Sequence, residues 1–128
     1  MFHLLTVEMV ELIHDEVLNP GELPGRALDK SLDGALARVD HRLAYGMIGD
    51  AFDLAACYAV VIATGHCFND GNKRTAHQCM DVCLDANGVQ ITWTAEDVGR
   101  IIISAAQGLT DEGDLADWLR ARAAQDLR

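Results

Sequence analysis

An all-α bundle of about six helices is the fold this chain predicts, on three observations. Apolar residues recur at helical spacing, as in Val10, Ile13 and Val17. A long apolar run extends from Ala51 to Thr64, and no stretch shows the strong alternation of a half-buried strand. No internal repeat or low-complexity tract competes with that reading.

Taken in order, Thr6 is placed to cap a helix running to about Leu18, which Asn19-Pro20-Gly21 ends. A Gly- and Pro-rich loop, 19–25, leads to a helical segment around Leu32, Leu36 and Val39. The run from Ala51 to Thr64 reads as a central buried helix, since its alanines permit close approach of several neighbours. Gly65 breaks the pattern, and a new helix resumes at about Gly71 and continues to Asn87-Gly88, a pair suited to a left-handed cap. After a short extended piece at 89–93, Thr94 with Asp97 has capping-box spacing, and Val98, Ile101, Ile102 and Ala105 continue helically. A last helix spans about Gly113 to Ala124.

With 128 residues, half of them hydrophobic, the chain suits a single globular domain, 1–128, with one core. Its formal charge of −10 repels nucleic acid phosphates, so broad DNA or RNA binding is not expected and any anion must be held locally. No basic leader with a long apolar run opens the chain, and no segment reaches the roughly 18 apolar residues of a membrane span. A cytoplasmic protein is expected. Cys57, Cys67, Cys79 and Cys83 contain no C-x-x-C pair and read as buried reduced thiols, while His66 and His77 complete no zinc-ligand spacing.

The chemistry is concentrated in one segment, Gly65-His66-Cys67-Phe68-Asn69-Asp70-Gly71-Asn72-Lys73-Arg74-Thr75. Lys73 and Arg74 are the only Lys or Arg between Leu43 and Gly99. They fall where a helix begins, and free amides with the positive end of the helix dipole make such a place an anion site. Gly71 lets backbone approach closely, Lys73 offers a point charge and Arg74 a planar fork for two phosphate oxygens. Asp70 is a natural carboxylate for Mg²⁺ bridging to nucleotide phosphates, which implies ATP with magnesium. His66 is the candidate general base, because imidazole, with an ordinary pKa of about 6.5, takes up a proton near neutral pH. The order of residues is not that of a P-loop, where Lys directly follows the second Gly. Residue types alone also leave open a plain helix start beside a satisfied buried histidine.

The run from His66 to Ala76 closely resembles the core motif of the Fic/Doc family, and its Asn-Lys-Arg form resembles the Doc branch, the death-on-curing toxins of toxin–antitoxin modules. Leu23-Pro24-Gly25, Leu36-Ala37-Arg38, Ala44-Tyr45-Gly46 and Asn87-Gly88-Val89 also look like Doc sequences, so the likeness covers essentially the whole chain. It implies His66 as base and Asp70 near metal and phosphates, with Lys73 and Arg74 also in the catalytic set. Phe68 is implied as an apolar anchor of the loop, and Phe68, Asn69, Gly71, Asn72, Lys73 and Arg74 together as the nucleotide-binding set. Against the adenylylating pattern H-x-F-x-[DE]-G-N-G-R-x-x-R, Lys73 replaces the second Gly and His77 the last Arg. Both changes speak against AMP transfer. The resemblance implies instead a kinase that passes the γ-phosphate of ATP to a threonine of elongation factor Tu and is neutralised by a Phd-like antitoxin. Gly71 is where many Doc proteins carry Ala, which keeps adenylylation as an alternative. A catalytically silent Fic-fold binding module is a second alternative, although such a module need not retain His66, Asp70, Asn72, Lys73 and Arg74 together.

Elsewhere the residues read as scaffold. His14 is expected to be structural or solvated, Trp93 and Trp118 to pack in or against the core, and Asp111-Glu112-Gly113-Asp114 to form a solvated helix start.

Overall fold

The computed structural model describes residues 1–91 and 93–126. Six helices follow one another: α1 (Val7–Val17), α2 (Leu32–Ala44), α3 (Ala51–Gly65), α4 (Asn72–Ala86), α5 (Ala95–Ala106) and α6 (Glu112–Asp126). The expected all-α architecture is observed, with α2 running five residues beyond Val39 and α6 starting one residue early. Among the described residues the only β pairing is an isolated antiparallel bridge between Arg26 and Phe68. Thr92, part of the extended piece expected at 89–93, lies outside the described residues.

Side-chain caps set most helix starts. Thr6 accepts from the Met9 amide, Ser31 from Gly34 and Asp50 from Asp53. Thr94 and Asp97 form the reciprocal capping box that their spacing predicts. Each such cap contributes about 1 kcal/mol by satisfying an amide that the helix itself leaves free.

α3 is the axis of the bundle and packs against α2, α4, α5 and α6, while α1 lies on α4. Leu54, Ala55, Ala56, Ala59, Ile62 and Ala63 have no exposed surface, which accounts for an apolar character that is not confined to one stripe. The Tyr58 hydroxyl reaches out of this axis and accepts the Leu5 amide at 2.9 Å, pinning the N-terminal segment. Arg120 fastens α6 to the head of α3 through Asp50 (2.9 Å) and Asp53, and its hydrogen bond holds the Asp50 carboxyl below the usual range. Trp93 and Trp118 meet at 5.9 Å between ring centroids and pack against the core from its edge.

All four cysteines are buried and unbonded. Burial pushes the thiols of Cys57, Cys79 and Cys83, and the Tyr58 phenol, up to about 12. In the unfolded chain thiols ionise near 9.0, so above that pH the unfolded state loses protons that the folded state keeps. Stability is therefore fully present below pH 9 and declines as pH rises toward 12, by up to about 1.4 kcal/mol per thiol per pH unit. Thermal melts should be level to about pH 8.5 and fall beyond it. A midpoint unchanged at pH 10.5 would contradict this account.

Candidate active site

The candidate segment is a connection of six residues, 66–71, between the two helices that form the heart of the bundle. α3 ends where His66 enters the left-handed region (φ 49°, ψ 43°), the one described residue other than Gly with positive φ. A Cβ at Gly65, just before it, would stand 3.0 Å from the Cys67 sulfur, a contact tighter than most side chains make. This reversal turns Cys67 and Phe68 into the core while His66 stays exposed.

A lattice of contacts then holds the loop. Phe68 stacks on the buried ring of His14, with centroids 3.9 Å apart and planes 8° from parallel. The same His14 donates from Nε2 to the Asp70 carbonyl at 2.7 Å. The Asn72 side chain accepts from the Phe68 amide (3.0 Å) and donates to the Phe68 carbonyl (2.9 Å). Asn69 donates from Nδ2 to the Pro24 carbonyl, and residues 25–27 pair with 67–69 through Ala27 N–H to Cys67 O (2.9 Å) and Asn69 N–H to Gly25 O (3.1 Å). Phe68, Asn69 and Asn72 thus spend their side chains on the loop itself. Asn69 and Asn72 also line a depression on the outer side of the loop, whereas Phe68 is buried and does not.

Outward, the segment opens on a depression of about 390 Å³ lined by His66, residues 69–71 and the first turn of α4. Gly71 precedes that helix in the left-handed region (φ 78°), no side chain caps the helix, and no acidic residue lies in its first turn. The amides of Asn72, Lys73 and Arg74 are thereby left for an external acceptor, at the positive end of the dipole. Lys73 is exposed at the rim and, among the described residues, has no carboxylate at ion-pair distance. Asp70 accepts the Leu23 amide on Oδ2 at 2.7 Å. Its other carboxylate oxygen has no hydrogen bond among the described residues. One open oxygen beside an anion site fits Mg²⁺, which is commonly held by one or two carboxylates together with phosphate. No cluster of three acidic, His or Cys side chains among the described residues forms a metal site by itself.

Arg74 is engaged already. Its Nη2 contacts both Glu22 oxygens, at 2.6 and 2.7 Å, so the fork expected to grip phosphate grips a carboxylate of the 19–25 loop. A polyphosphate must displace Glu22 or use the guanidinium edge that Glu22 leaves free. Replacing Glu22 with Gln should tighten Mg·ATP binding about two- to fivefold, the scale of a partly exposed ion pair. Titration calorimetry checks this, and equal or weaker affinity would count against it.

Two contributors escaped the reading of residue types. His14 was open between structural and solvated roles and proves to be the buried backing of the motif. Glu22 carried no signal beyond being a lone acid in a Gly- and Pro-rich loop, because its partner lies 52 positions away. His77 sits further along α4, with Nε2 3.2 Å from Asp81 Oδ2 but outside hydrogen-bond geometry, and does not line the depression.

Comparison with known proteins adds to this geometry. Residues 4–84 match the sequence profile of the Fic/DOC family. Over 120 residues the chain is 35% identical to the protein named protein kinase doc of Escherichia phage P1, a match that covers 94% of each chain.

Proposed function

The chain belongs to the Fic/DOC family, and from that premise we propose that it is a Doc-type toxin, a kinase that transfers the γ-phosphate of ATP to a Ser or Thr hydroxyl of a protein. The observation that carries this reading is the convergence, on one depression, of exposed His66, Lys73 with no ion pair among the described residues, and an uncapped helix start. Near-full-length likeness to a protein named a kinase supports the reaction class.

In this reading the target hydroxyl lies against His66. As its oxygen forms a bond to the γ-phosphorus, the bridging bond to the β-phosphate breaks, ADP leaves, and the hydroxyl proton passes to the imidazole. Lys73 and the α4 amides offset the charge on the phosphoryl oxygens, and Arg74 joins them once Glu22 yields. Asp70 would hold Mg²⁺, which when bound neutralises phosphate charge. Because Asp70 also anchors the Leu23 amide, it sets the distance between the 19–25 loop and the site.

The finer assignments are a threonine of elongation factor Tu as target and a Phd-like antitoxin as the partner that silences the toxin. No described helix is long and apolar enough to cross a membrane, and the strong negative charge disfavours direct nucleic acid binding. The test is incubation with a bacterial lysate and ATP labelled at the α or the γ position. Label carried from the γ position alone is expected; label from the α position would assign AMP transfer.

A further inference from the structure

We propose that the depression between the start of α2 and the end of α3 receives acidic residues of the protein substrate, close to its target hydroxyl. The inference deepens the kinase reading above and rests on it for the identity of the ligand.

Arg26, Arg42, Arg74, Arg120 and Arg122 are each paired with a carboxylate. Among the described residues Lys30, Arg38, Lys73 and Arg100 are not. In a chain where 20 acids face 10 Lys and Arg, an unpaired cation is the exception. Three of these four lie at two depressions whose linings reach successive residues, Gly65 and His66. Lys73 lines the candidate active site with His66, while Lys30 and Arg38 line a neighbouring depression of about 330 Å³ that reaches Thr64 and Gly65, the residues directly before His66. Arg38 also borders a further hollow of about 200 Å³ that continues over His41 and Arg42. Lys30, just before α2, and Arg38, on it, therefore place two open cations beside the end of α3 that leads into His66.

The lining decides what the depression can hold. Beside Lys30 and Arg38 stand Ser31, Gly34, Ala35 and Thr64, with no aromatic ring on which a base could stack, so carboxylates suit it better than a nucleobase. Asp29 at the rim leaves two cations against one acid. Repulsion from the chain's overall charge is screened beyond about 8 Å at physiological salt, so the local cations govern a bound segment.

Fluorescence polarisation tests the proposal with two labelled decapeptides, each with a central threonine, flanked by glutamates in one and glutamines in the other. The protein should bind the glutamate peptide about three- to tenfold more tightly at physiological salt, the scale of two exposed ion pairs, and lose that margin in high salt. Lys30→Gln with Arg38→Gln should abolish the preference and leave Mg·ATP affinity unchanged, while Arg38→Lys retains it. Equal binding of both peptides overturns the proposal. Loss of Mg·ATP affinity in the double variant overturns it too, by assigning the depression to the nucleotide. Because the readout is binding, it is distinct from the labelling test: a protein that prefers the acidic peptide yet labels nothing fails the kinase reading alone.

Discussion

Replacing His66 with alanine is expected to lower phosphoryl transfer at least about 10²-fold and to abolish growth arrest, since general-base catalysis by a positioned side chain contributes on that scale. The fold should survive, because the ring is exposed and lines the depression without bracing the loop. That work belongs to His14, Asn69 and Asn72. Thermal melts within about 1 kcal/mol of the parent, as for an exposed substitution, together with unchanged Mg·ATP affinity would separate a lost base from a damaged site. A fully toxic variant would falsify the assignment. His14→Ala is the informative contrast: it removes the ring under Phe68 and the donor to Asp70 O, so stability and activity should fall together.

The second large effect concerns which phosphorus reacts. Lys73 stands at the position of the second Gly in the adenylylating pattern, at the open start of α4 and on the rim of the depression. Because phosphoryl transfer is mostly positioning and charge stabilisation, the pose of the triphosphate selects the reaction more than the base does. Lys73→Gly combined with His77→Arg should reduce γ-phosphate transfer about 10- to 100-fold, the weight of one charge-assisted contact, and open a route to AMP transfer. Most of the loss should come from position 73, as His77 lies beside Asp81 and off the depression. Intact-mass spectrometry of the modified target distinguishes the two, at about 80 Da for phosphate and about 329 Da for AMP. The larger adduct from the unaltered protein would reverse the assignment.

Much of this architecture was legible in the residues because it depends on near neighbours. The Thr94/Asp97 box, the Thr6 cap and the stop at Gly65 each involve groups within a few positions, so local patterns locate them. The six helices and the placement of Lys73 and Arg74 at a helix start follow from such signals, reinforced by an apolar run too continuous to be anything but a buried axis. Helix lengths were less legible, since frayed ends depend on what packs over them, as with α2 beyond Val39.

By itself the sequence determined the helical class, the buried thiols and which residue types gather at residues 66–74, because spacing, burial tendency and charge are properties of short windows. Only the tertiary structure decided what those residues face. It set Glu22 on Arg74, the Leu23 amide on Asp70, His14 under Phe68, and left Lys30, Arg38 and Lys73, around Gly65 and His66, without acidic partners among the described residues. Apart from Lys73, which belongs to the segment itself, these placements join positions 27 to 54 apart. Charge pairing at such separations depends on the packing of α1, α2 and the 19–25 loop against the α3–α4 hairpin, and no local window of sequence contains it.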